Sequence, residues 1–218
     1  MSFRKVDMEK VKRRARLISL LPFNKLRVFL YRNVLGYNIT DSYIARKTLI
    51  AVKKADFDNC SIGPRNAFIG PMSVKIGKQS KISPGNSFNC ADWVSEEKFL
   101  NAGYEKSLVI GEGCLITSDH HFDVVGKFEL GSRSWIAGNG SQFWTHGAGS
   151  KDHNIFVDCD CYIGSAVRFA PGAFIGKNNI VGIGSIVTKK FIESNCIIAG
   201  NPARILQKDY DWKTRKEI

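Results

Sequence analysis

Apolar residues recur six positions apart along much of the chain. The longest series is Val157, Ile163, Phe169, Ile175, Val181 and Val187. Shorter runs with the same or nearly the same step include Ile110 and Ile116, Leu130 and Ile136, and Ile62, Ile69, Ile76 and Ile82. A period of six fits neither an α-helix nor a simple strand. It predicts a prism of triangular cross-section, in which each short strand points one side chain inward and the chain turns at every corner, often at glycine.

A small residue stands two positions before most of these apolar residues. The small residues are Cys60, Ala67, Ser80, Cys114, Ser134, Cys161, Ala173, Ser185 and Cys196. Strand residues i and i−2 share a face, so both should point into the prism. This placement explains four of the six cysteines as small buried side chains, and no Cys-x-x-Cys pair occurs. The cysteines therefore argue against a zinc or redox site.

Two segments interrupt the repeat. Residues 89–107 carry charged residues and lack the six-residue step, which predicts an excursion from the prism. Residues 146–154 combine glycine with polar residues and predict a loop standing off the prism. Loops on a rigid scaffold are where function concentrates.

The N-terminal region follows a different pattern. Its apolar residues recur at helical spacing: Leu17, Leu20, Leu21, Phe23, Leu26, Phe29 and Leu30. Pro22 suits the first turn of a second helix. We expect a basic helical segment over 1–45, a β-helical domain over 46–203 and a tail over 204–218. The helices either cap the open end of the prism or contact an anionic membrane.

The charge distribution bears on the partners. The chain has a formal net charge of +12, and residues 1–32 hold most of the excess. This points to anionic partners such as phosphates or a membrane surface, and no motif supports nucleic-acid binding. No apolar run approaches the length of a membrane span. We expect a cytoplasmic protein, alternatively peripheral at the inner face of the membrane.

The C-terminal repeats resemble a known family. The sequence CYIGSAVRFAPGAFIGKNNIVGIGSIVTKK over 161–190, followed by IIAGNPARIL over 197–206, resembles the final coils and the Gly-Asn-Pro-Ala exit of hexapeptide-repeat acyltransferases. The resemblance implies a mainly β fold, namely a left-handed parallel β-helix with an N-terminal helical segment and a short C-terminal tail. It also implies acetyl-CoA as co-substrate, no metal, and a homotrimer.

The lead-in to the repeats resembles a subset of that family. LPFNKLRVFLYRNVLGYNI over 21–39 is similar to the lead-in of members that modify lipopolysaccharide or capsular sugars. This resemblance implies O-acetyl transfer to a glycan or lipid-linked sugar acceptor in surface polysaccharide or lipopolysaccharide biosynthesis.

Acetyl transfer from a thioester to a hydroxyl needs a base for the hydroxyl proton and donors for the oxyanion. Histidine, with an ordinary pKa near ~6.5, suits the base at neutral pH. The candidates are His120, His121, His146 and His153. In SQFWTHG, His146 resembles the family's Thr-His strand end that carries the base, so we assign it that role. His153 is interpreted as a loop residue.

Residues near the histidines supply an expected acceptor site. Its members are Asn139, Trp144, His120, His121 and Asp119. The two adjacent histidines either line the acceptor site or are solvated, and Asp119 or Asp123 could orient them. Asn139 matches a family position that faces the acceptor, or is a corner residue in the left-handed conformation. Trp144 stacks on a sugar or packs against a neighbouring subunit.

The resemblance assigns the downstream coils to acetyl-CoA. Residues expected beside the pantetheine arm are Gly164, Ser165, Ala166, Gly182, Gly184 and Ser185. Residues expected to hold the phosphates, unless they are ordinary solvated charges, are Lys189, Lys190 and Arg204. Tyr162 stands where the family often has tryptophan.

Three other functions compete with this interpretation. The first is N-acyl transfer to an amino sugar nucleotide, which could use the same base. The second is a zinc carbonic anhydrase on the same fold, but the histidines do not fall at corresponding strand positions. The third is a non-catalytic β-helix that serves as a scaffold or binding module.

Overall fold

Short parallel strands stack into a triangular prism in the computed structural model, which describes residues 7–214. Arg168 pairs with Ile186, and Tyr162 pairs with Ile180, so three six-residue repeats complete one coil. The inward residue of each strand is buried and its neighbour faces outward. This alternation follows from the two-residue period of a strand.

The first and second faces of the prism belong to a single sheet. Two long strands, β3 (Leu49–Asp58) and β5 (Ala67–Ile76), bend from the first face to the second and join them into one curled sheet. The other strands of the first face are β7 (Ser87–Asn89), β10 (His121–Asp123), β13 (Gln142–Phe143), β16 (Arg168–Phe169) and β19 (Ile186–Val187). The other strands of the second face are β1 (Asn38–Thr40), β8 (Ser107–Ile110), β11 (Lys127–Leu130), β14 (Ile155–Val157), β17 (Phe174–Ile175) and β20 (Lys190–Phe191).

The third face is a separate sheet. Its strands are β2 (Tyr43–Ile44), β4 (Ser61–Ile62), β6 (Lys81–Ile82), β9 (Leu115–Ile116), β12 (Trp135–Ile136), β15 (Tyr162–Ile163), β18 (Ile180–Val181), β21 (Ile197–Gly200) and β22 (Ala203–Gln207). The last of these, β22, runs antiparallel to β21 and ends the stack. The helices are α1 (Met8–Leu20) and α2 (Asn24–Leu35), with 3-10 turns at Asp92–Ser95 and Glu97–Phe99.

A ladder of stacked phenylalanines lines the inside of the first face. Its fully buried rings are Phe68, Phe88, Phe122, Phe143 and Phe169. Successive ring centroids lie 4.5, 4.5, 4.6 and 4.9 Å apart. Each ring adds large apolar area and stacks on the next, so the ladder stabilises neighbouring coils against each other.

The predicted inward positions are confirmed for Ile62, Ile76, Ile82 and the series from β8 onward, and are wrong in the first half of β5. Phe68 is fully buried, whereas Ile69 and Ala67 are only partly buried. Phe68 pairs with Ile50 and with Phe88, so the larger ring occupies the core position. A shift of one residue reverses every side chain of a strand. The other small residues predicted to point inward are buried, and all six cysteines are free.

The helical hairpin covers the first coil with residues other than those predicted. Ala15, Ile18 and Tyr31 belong to the buried core, and the Arg27 guanidinium is buried, where it donates to the carbonyl of Ile44 at 2.7 and 3.1 Å. Pro22 lies in the linker before α2 and not in its first turn. The parallel strands begin at Asn38, within the range 1–45; the division of the chain into domains stays a prediction.

Five of the seven predicted apolar residues face away from the prism, whereas Leu30 packs on the core and Leu21 is partly buried. Leu17, Leu20, Phe23, Leu26 and Phe29 are all exposed, so an apolar face that packs on the core is wrong for these five residues. Small and hydrogen-bonding side chains fit the end of the prism instead. Within residues 7–214, neither helix is long and apolar enough to span a membrane.

Candidate active site

Two segments leave the prism at one corner, between the first and second faces. The excursion over 90–106 follows β7, and the loop over 144–154 follows β13; both strands neighbour β10. The two segments contact each other, since Asn154 Nδ2 donates to Glu105 Oε1 at 2.6 Å and the rings of Tyr104 and His153 lie 4.7 Å apart. We call this edge the His146 corner.

His146 is held at this corner by a buried carboxylate. Its Nδ1 lies 2.8 Å from Asp123 Oδ2, and Asp123, at the end of β10, is buried. The same oxygen accepts from the Thr145 hydroxyl at 2.8 Å and the Thr145 amide at 2.9 Å, so its position is fixed. A carboxylate only accepts, so Nδ1 carries the proton and Nε2 keeps its lone pair. The His146 side chain is 36% exposed, which suits a base that must reach a substrate.

Asp123 is predicted from the sequence to orient His120 or His121, but in the structure it contacts His146. The neighbouring coils explain the difference: β10 and β13 pair in parallel, with Phe122 beside Phe143, so the end of β10 lies next to the Thr145-His146 segment. A carboxylate that follows a strand one coil before the histidine is the signal that could have identified this pair.

An aromatic cluster that the sequence analysis missed lies against His146. The Trp93 ring, in the first 3-10 turn of the excursion, lies 5.5 Å from the imidazole in an edge-on arrangement. Phe99 and Tyr104 pack on Trp93 at 4.7 and 5.6 Å. The presence of three aromatic residues in an excursion rich in charged residues is the sequence signal that could have indicated this cluster. They form one wall beside the base.

His121 and Trp144 lie together on the outer side of the first face. Their ring centroids are 4.9 Å apart, and Trp144 is 40% exposed. Trp144 precedes His146 by two residues, so this aromatic pair adjoins the base. The pair offers a surface on which a ring can stack.

His120 does not fit its expected place in the acceptor site. It is buried, its Nδ1 accepts from the Ser141 amide at 3.1 Å, and its Nε2 lies 3.1 Å from the Thr117 hydroxyl. Burial lowers the pKa of His120 to about 4. His120 is therefore a neutral side chain that joins two coils inside the prism.

Asp119 and Asn139 lie at a different corner, between the third and first faces, which we call the Asn139 corner. The Gly140 amide donates to the Asp119 carbonyl at 3.1 Å, which places both residues on this edge. The left-handed conformation considered for Asn139 is adopted by its neighbours Gly138 and Gly140, with φ of 69° and 71°. The first face separates this corner from His146 in one protomer.

Most of the residues expected beside the pantetheine arm lie along the Asn139 corner. The Ala166 amide donates to the Asn139 carbonyl at 2.8 Å, and the Gly184 amide donates to the Ser165 carbonyl at 2.9 Å, so these residues stack in one column. A Cβ on Gly184 would meet no atom within 4 Å, so the backbone there is open to a thin ligand.

Two residues of that set are internal. Ser185 is buried, and its hydroxyl donates to the Gly182 carbonyl at 2.6 Å. Gly164 is buried, and a Cβ there would lie 2.9 Å from the Ile183 amide nitrogen. The backbone at these two positions is expected to flank the pantetheine arm. In the structure the Ser185 hydroxyl and the inner side of Gly164 serve the packing between coils, and the backbone contact with the cofactor stays a prediction.

The basic residues expected to hold phosphates are divided between two places. Lys190 forms an ion pair with Asp152 at 2.9 Å and anchors the loop that carries His146, and this pair lowers the pKa of Asp152. Lys189 lies over the Phe191 ring at 5.2 Å, at the same corner. Arg204, on β22, is exposed. Lys190 is thus engaged with the loop, whereas Lys189 and Arg204 are exposed and form no ion pair within residues 7–214.

Within residues 7–214, no three His, Cys, Asp or Glu side chains lie together in a way that could bind a metal ion.

Comparisons with known proteins identify the class. No protein-family model matches the chain. Chloramphenicol acetyltransferase of Klebsiella aerogenes is 30% identical over 151 residues, covering 63% of this chain and 69% of the relative. Galactoside O-acetyltransferase of Escherichia coli (strain K12) is 26% identical over 153 residues, covering 67% of this chain and 70% of the relative. The chain belongs to the hexapeptide-repeat acetyltransferases.

Not every match is of similar length. The bifunctional protein GlmU of Saccharophagus degradans is 32% identical over 127 residues, which is 58% of this chain and 26% of GlmU. The chain thus spans about a quarter of that relative, whereas it spans more than two thirds of the two acetyltransferases above.

Solved structures agree on the fold. A polySia-specific acetyltransferase, NeuO, superposes with a TM-score of 0.56 at 21% identity, covering 83% of this chain and 86% of NeuO. A hexapeptide-repeat acetyltransferase of Vibrio cholerae O1 biovar eltor, solved with acetyl coenzyme A, superposes with a TM-score of 0.54 at 17% identity. The match covers 95% of this chain and 92% of the Vibrio protein. The predicted fold class, a mainly β left-handed parallel β-helix with N-terminal helices, is confirmed.

Proposed function

We propose that this protein transfers an acetyl group from acetyl-CoA to a hydroxyl of a sugar, in the assembly of a surface polysaccharide or lipopolysaccharide. The observation that carries the proposal is the 2.8 Å contact between His146 Nδ1 and the buried Asp123 carboxylate, because it leaves Nε2 as an oriented base. The family of the chain supports the acetyl donor.

The reaction follows from this pair. His146 Nε2 takes the proton of the acceptor hydroxyl as its oxygen attacks the thioester carbonyl, and backbone N–H groups hold the oxyanion that forms. The C–S bond then breaks, and the thiolate of coenzyme A receives the proton from the imidazolium. Asp123 stabilises the imidazolium between the two steps, as the carboxylate of a Ser-His-Asp triad orients and stabilises its histidine.

Aromatic rings on two sides of the base favour a sugar acceptor. Trp144 and His121 lie on one side and Trp93 on the other, and sugar rings present apolar C–H faces that stack on such rings. Two similar proteins are named for sugar substrates, a galactoside O-acetyltransferase and a polySia-specific acetyltransferase.

The separation of the two corners supports a site shared between subunits. Acetyl-CoA fits the open backbone around Gly184, and its phosphates fit Arg204, whereas His146 lies across the first face. A second copy placed against the first face brings its own Asn139 corner to His146. The homotrimer expected from the sequence provides this arrangement by cyclic symmetry.

The test is acceptor-dependent release of free thiol from acetyl-CoA, with a panel of oligosaccharides from cell surfaces and a parallel panel of amino sugars. Wild type should release thiol with one acceptor, and His146→Ala should lose on the order of 10² to 10⁴ in kcat while still binding acetyl-CoA. His153→Ala, at the far end of the same loop, is the matched control.

Other outcomes of this test would change the proposed function or the assignment of the base. Thiol release only with amines would replace O-acetyl by N-acetyl transfer. No acetyl-CoA binding by wild type would favour the scaffold function, and an unaffected His146→Ala enzyme would exclude this base.

A further inference from the structure

The helical hairpin of α1 and α2 exposes an apolar surface that the fold does not use. Leu17, Leu20, Phe23, Leu26 and Phe29 are between 40% and 70% exposed. The inner side of the hairpin is already filled by Ala15, Ile18, Tyr31 and Arg27. Contiguous exposed apolar side chains of this size mark interaction sites in soluble proteins.

Basic residues share this outer side. The exposed cations of the hairpin that form no ion pair within residues 7–214 are Arg13, Arg14, Arg16, Lys25 and Arg32. Arg13 lies one turn from Leu17, and Arg16 one turn from Leu20; Phe29 lies one turn from both Lys25 and Arg32. The five apolar and five basic residues together are called the hairpin surface.

The acidic residues of the hairpin lie at one end. Asp7 pairs with Lys10 at 3.1 Å, and Glu9 pairs with Lys12 at 3.0 Å. Both precede the hairpin surface, which itself contains no carboxylate. The surface is therefore apolar and strongly positive at the same time.

This combination selects the partner. Contact of the surface with a second copy of itself would bring five cations against five cations, which costs free energy at every pair. An anionic bilayer offers both complements, since its acyl boundary takes leucine and phenylalanine while its headgroups pair with arginine and lysine.

We infer that the hairpin surface docks on an anionic lipid bilayer, with α1 and α2 lying in the plane of the headgroups. Phe23, the most exposed of the five apolar residues, lies at the turn between the helices. Arginine and lysine stems reach along the apolar side chains to the headgroups.

The docked hairpin is connected to the active site. Lys12 Nζ lies 2.5 Å from Asp92 Oδ2, and Asp92 begins the 3-10 turn whose Trp93 contacts His146. On the proposed function, this favours the lipid-linked acceptor over a soluble glycan, since the bilayer would carry both enzyme and substrate. The docking itself does not depend on the activity.

The experiment is co-sedimentation of the full chain with vesicles of phosphatidylcholine alone and of phosphatidylcholine with about one third phosphatidylglycerol. Binding should require the anionic lipid and should weaken as salt is raised, because screening shortens the reach of the charges. Each exposed cation contributes about fivefold, so Arg13→Gln/Arg14→Gln/Arg16→Gln should bind on the order of a hundredfold more weakly.

A second variant tests the apolar half. Leu17→Ser/Phe29→Ser should also lose vesicle binding, and both side chains are exposed, so the fold is unaffected. Matched controls elsewhere on the surface are Lys177→Gln/Lys208→Gln and Ile192→Ser/Leu206→Ser, which should bind as wild type does. Equal binding to both vesicle types, or none, overturns the inference. So does a change of oligomeric state in Leu17→Ser/Phe29→Ser, which would assign the surface to a second copy.

Discussion

The Asp123 carboxylate performs two tasks with one oxygen. Oδ2 accepts from the Thr145 backbone and hydroxyl, and it also contacts His146 Nδ1. The first task fixes where the loop begins, and the second fixes which nitrogen of the imidazole faces the substrate. A single buried side chain thus sets both the position and the tautomer of the base.

Asp123→Asn should therefore lower kcat by about a hundredfold or more, because an amide does not stabilise the imidazolium. The KM for acetyl-CoA should stay near wild type, since the residues proposed to hold the cofactor lie at the Asn139 corner and do not contact Asp123. Steady-state kinetics with the identified acceptor measure both constants.

The matched control for this variant is Asp41→Asn, which removes an exposed carboxylate in the segment between β1 and β2, away from both corners. It should retain far more activity than Asp123→Asn. A comparable loss of kcat in both variants, or an active Asp123→Asn enzyme with an unchanged melting temperature, would contradict the role of Asp123.

The sequence suggests His146 as the candidate base but does not indicate which residues surround it. A histidine after threonine at a strand end is a local pattern, contained within the seven residues SQFWTHG. Trp93 reaches His146 from a different coil, and no local pattern specifies how the excursion folds back. His120 shows the opposite failure, because its burial depends on the coils above and below it.

At the scale of the element, the C-terminal tail is fastened to the prism through Asp160. Its carboxylate accepts from Arg133 at 2.7 and 2.9 Å and pairs with Lys213 of the tail. Trp212 donates to the Asp160 carbonyl at 2.8 Å, and its ring packs on Tyr162 at 5.6 Å. The hydrogen bonds from Arg133 and then Lys213 lower the pKa of Asp160 to about 2.

Asp160→Asn should lower the free energy of unfolding at pH 7 by ~1 kcal/mol, a value reduced for the solvent exposure of Arg133. The folded-state pKa is depressed, so this stabilisation is present above the unfolded value near 3.8 and is lost as pH falls toward 2. Urea unfolding at pH 7, 5 and 3 should show the two proteins converging at the acid end.

Asp209→Asn is the control for that series, since Asp209 is exposed on the same tail. Its stability should follow wild type at every pH. A difference between Asp160→Asn and wild type that persists unchanged at pH 3 would mean that the pairs with Arg133 and Lys213 do not supply the stabilisation.

The elements themselves were predictable where the repeat is regular. From β8 onward the residues of the six-residue series all point inward. The series fails at Ile69, because β5 bends from one face to the next at Gly70 and Pro71, and its register there places Phe68 in the core. The spacing of apolar residues correctly predicted the helices α1 and α2. Spacing alone does not determine which side of a helix packs on the prism.

At the scale of the molecule, a shared site makes a prediction about mixed oligomers. His146→Ala and Asn139→Trp should each be inactive, the first for lack of a base and the second because a bulky ring fills the Asn139 corner. Random co-assembly in equal amounts should restore about one quarter of wild-type activity, since that fraction of interfaces in a cyclic oligomer pairs two intact halves. Thiol release after co-expression measures it.

The control mixture combines His146→Ala with the double variant His146→Ala/Asn139→Trp, and it should remain inactive because no subunit contributes a base. If the first mixture is also inactive although mixed oligomers form, both halves of the site belong to one protomer.

A stack of identical parallel coils has no natural end. Its last strands would present unpaired N–H and C=O groups to any similar edge, and such edges grow into fibrils. Here the helical hairpin covers the first coil, and β22 turns back antiparallel along β21 at the other end. These two short, non-repeating elements end the stack of coils, so variants that unfold either of them should expose strand edges through which the protein assembles into filaments, which electron microscopy would detect.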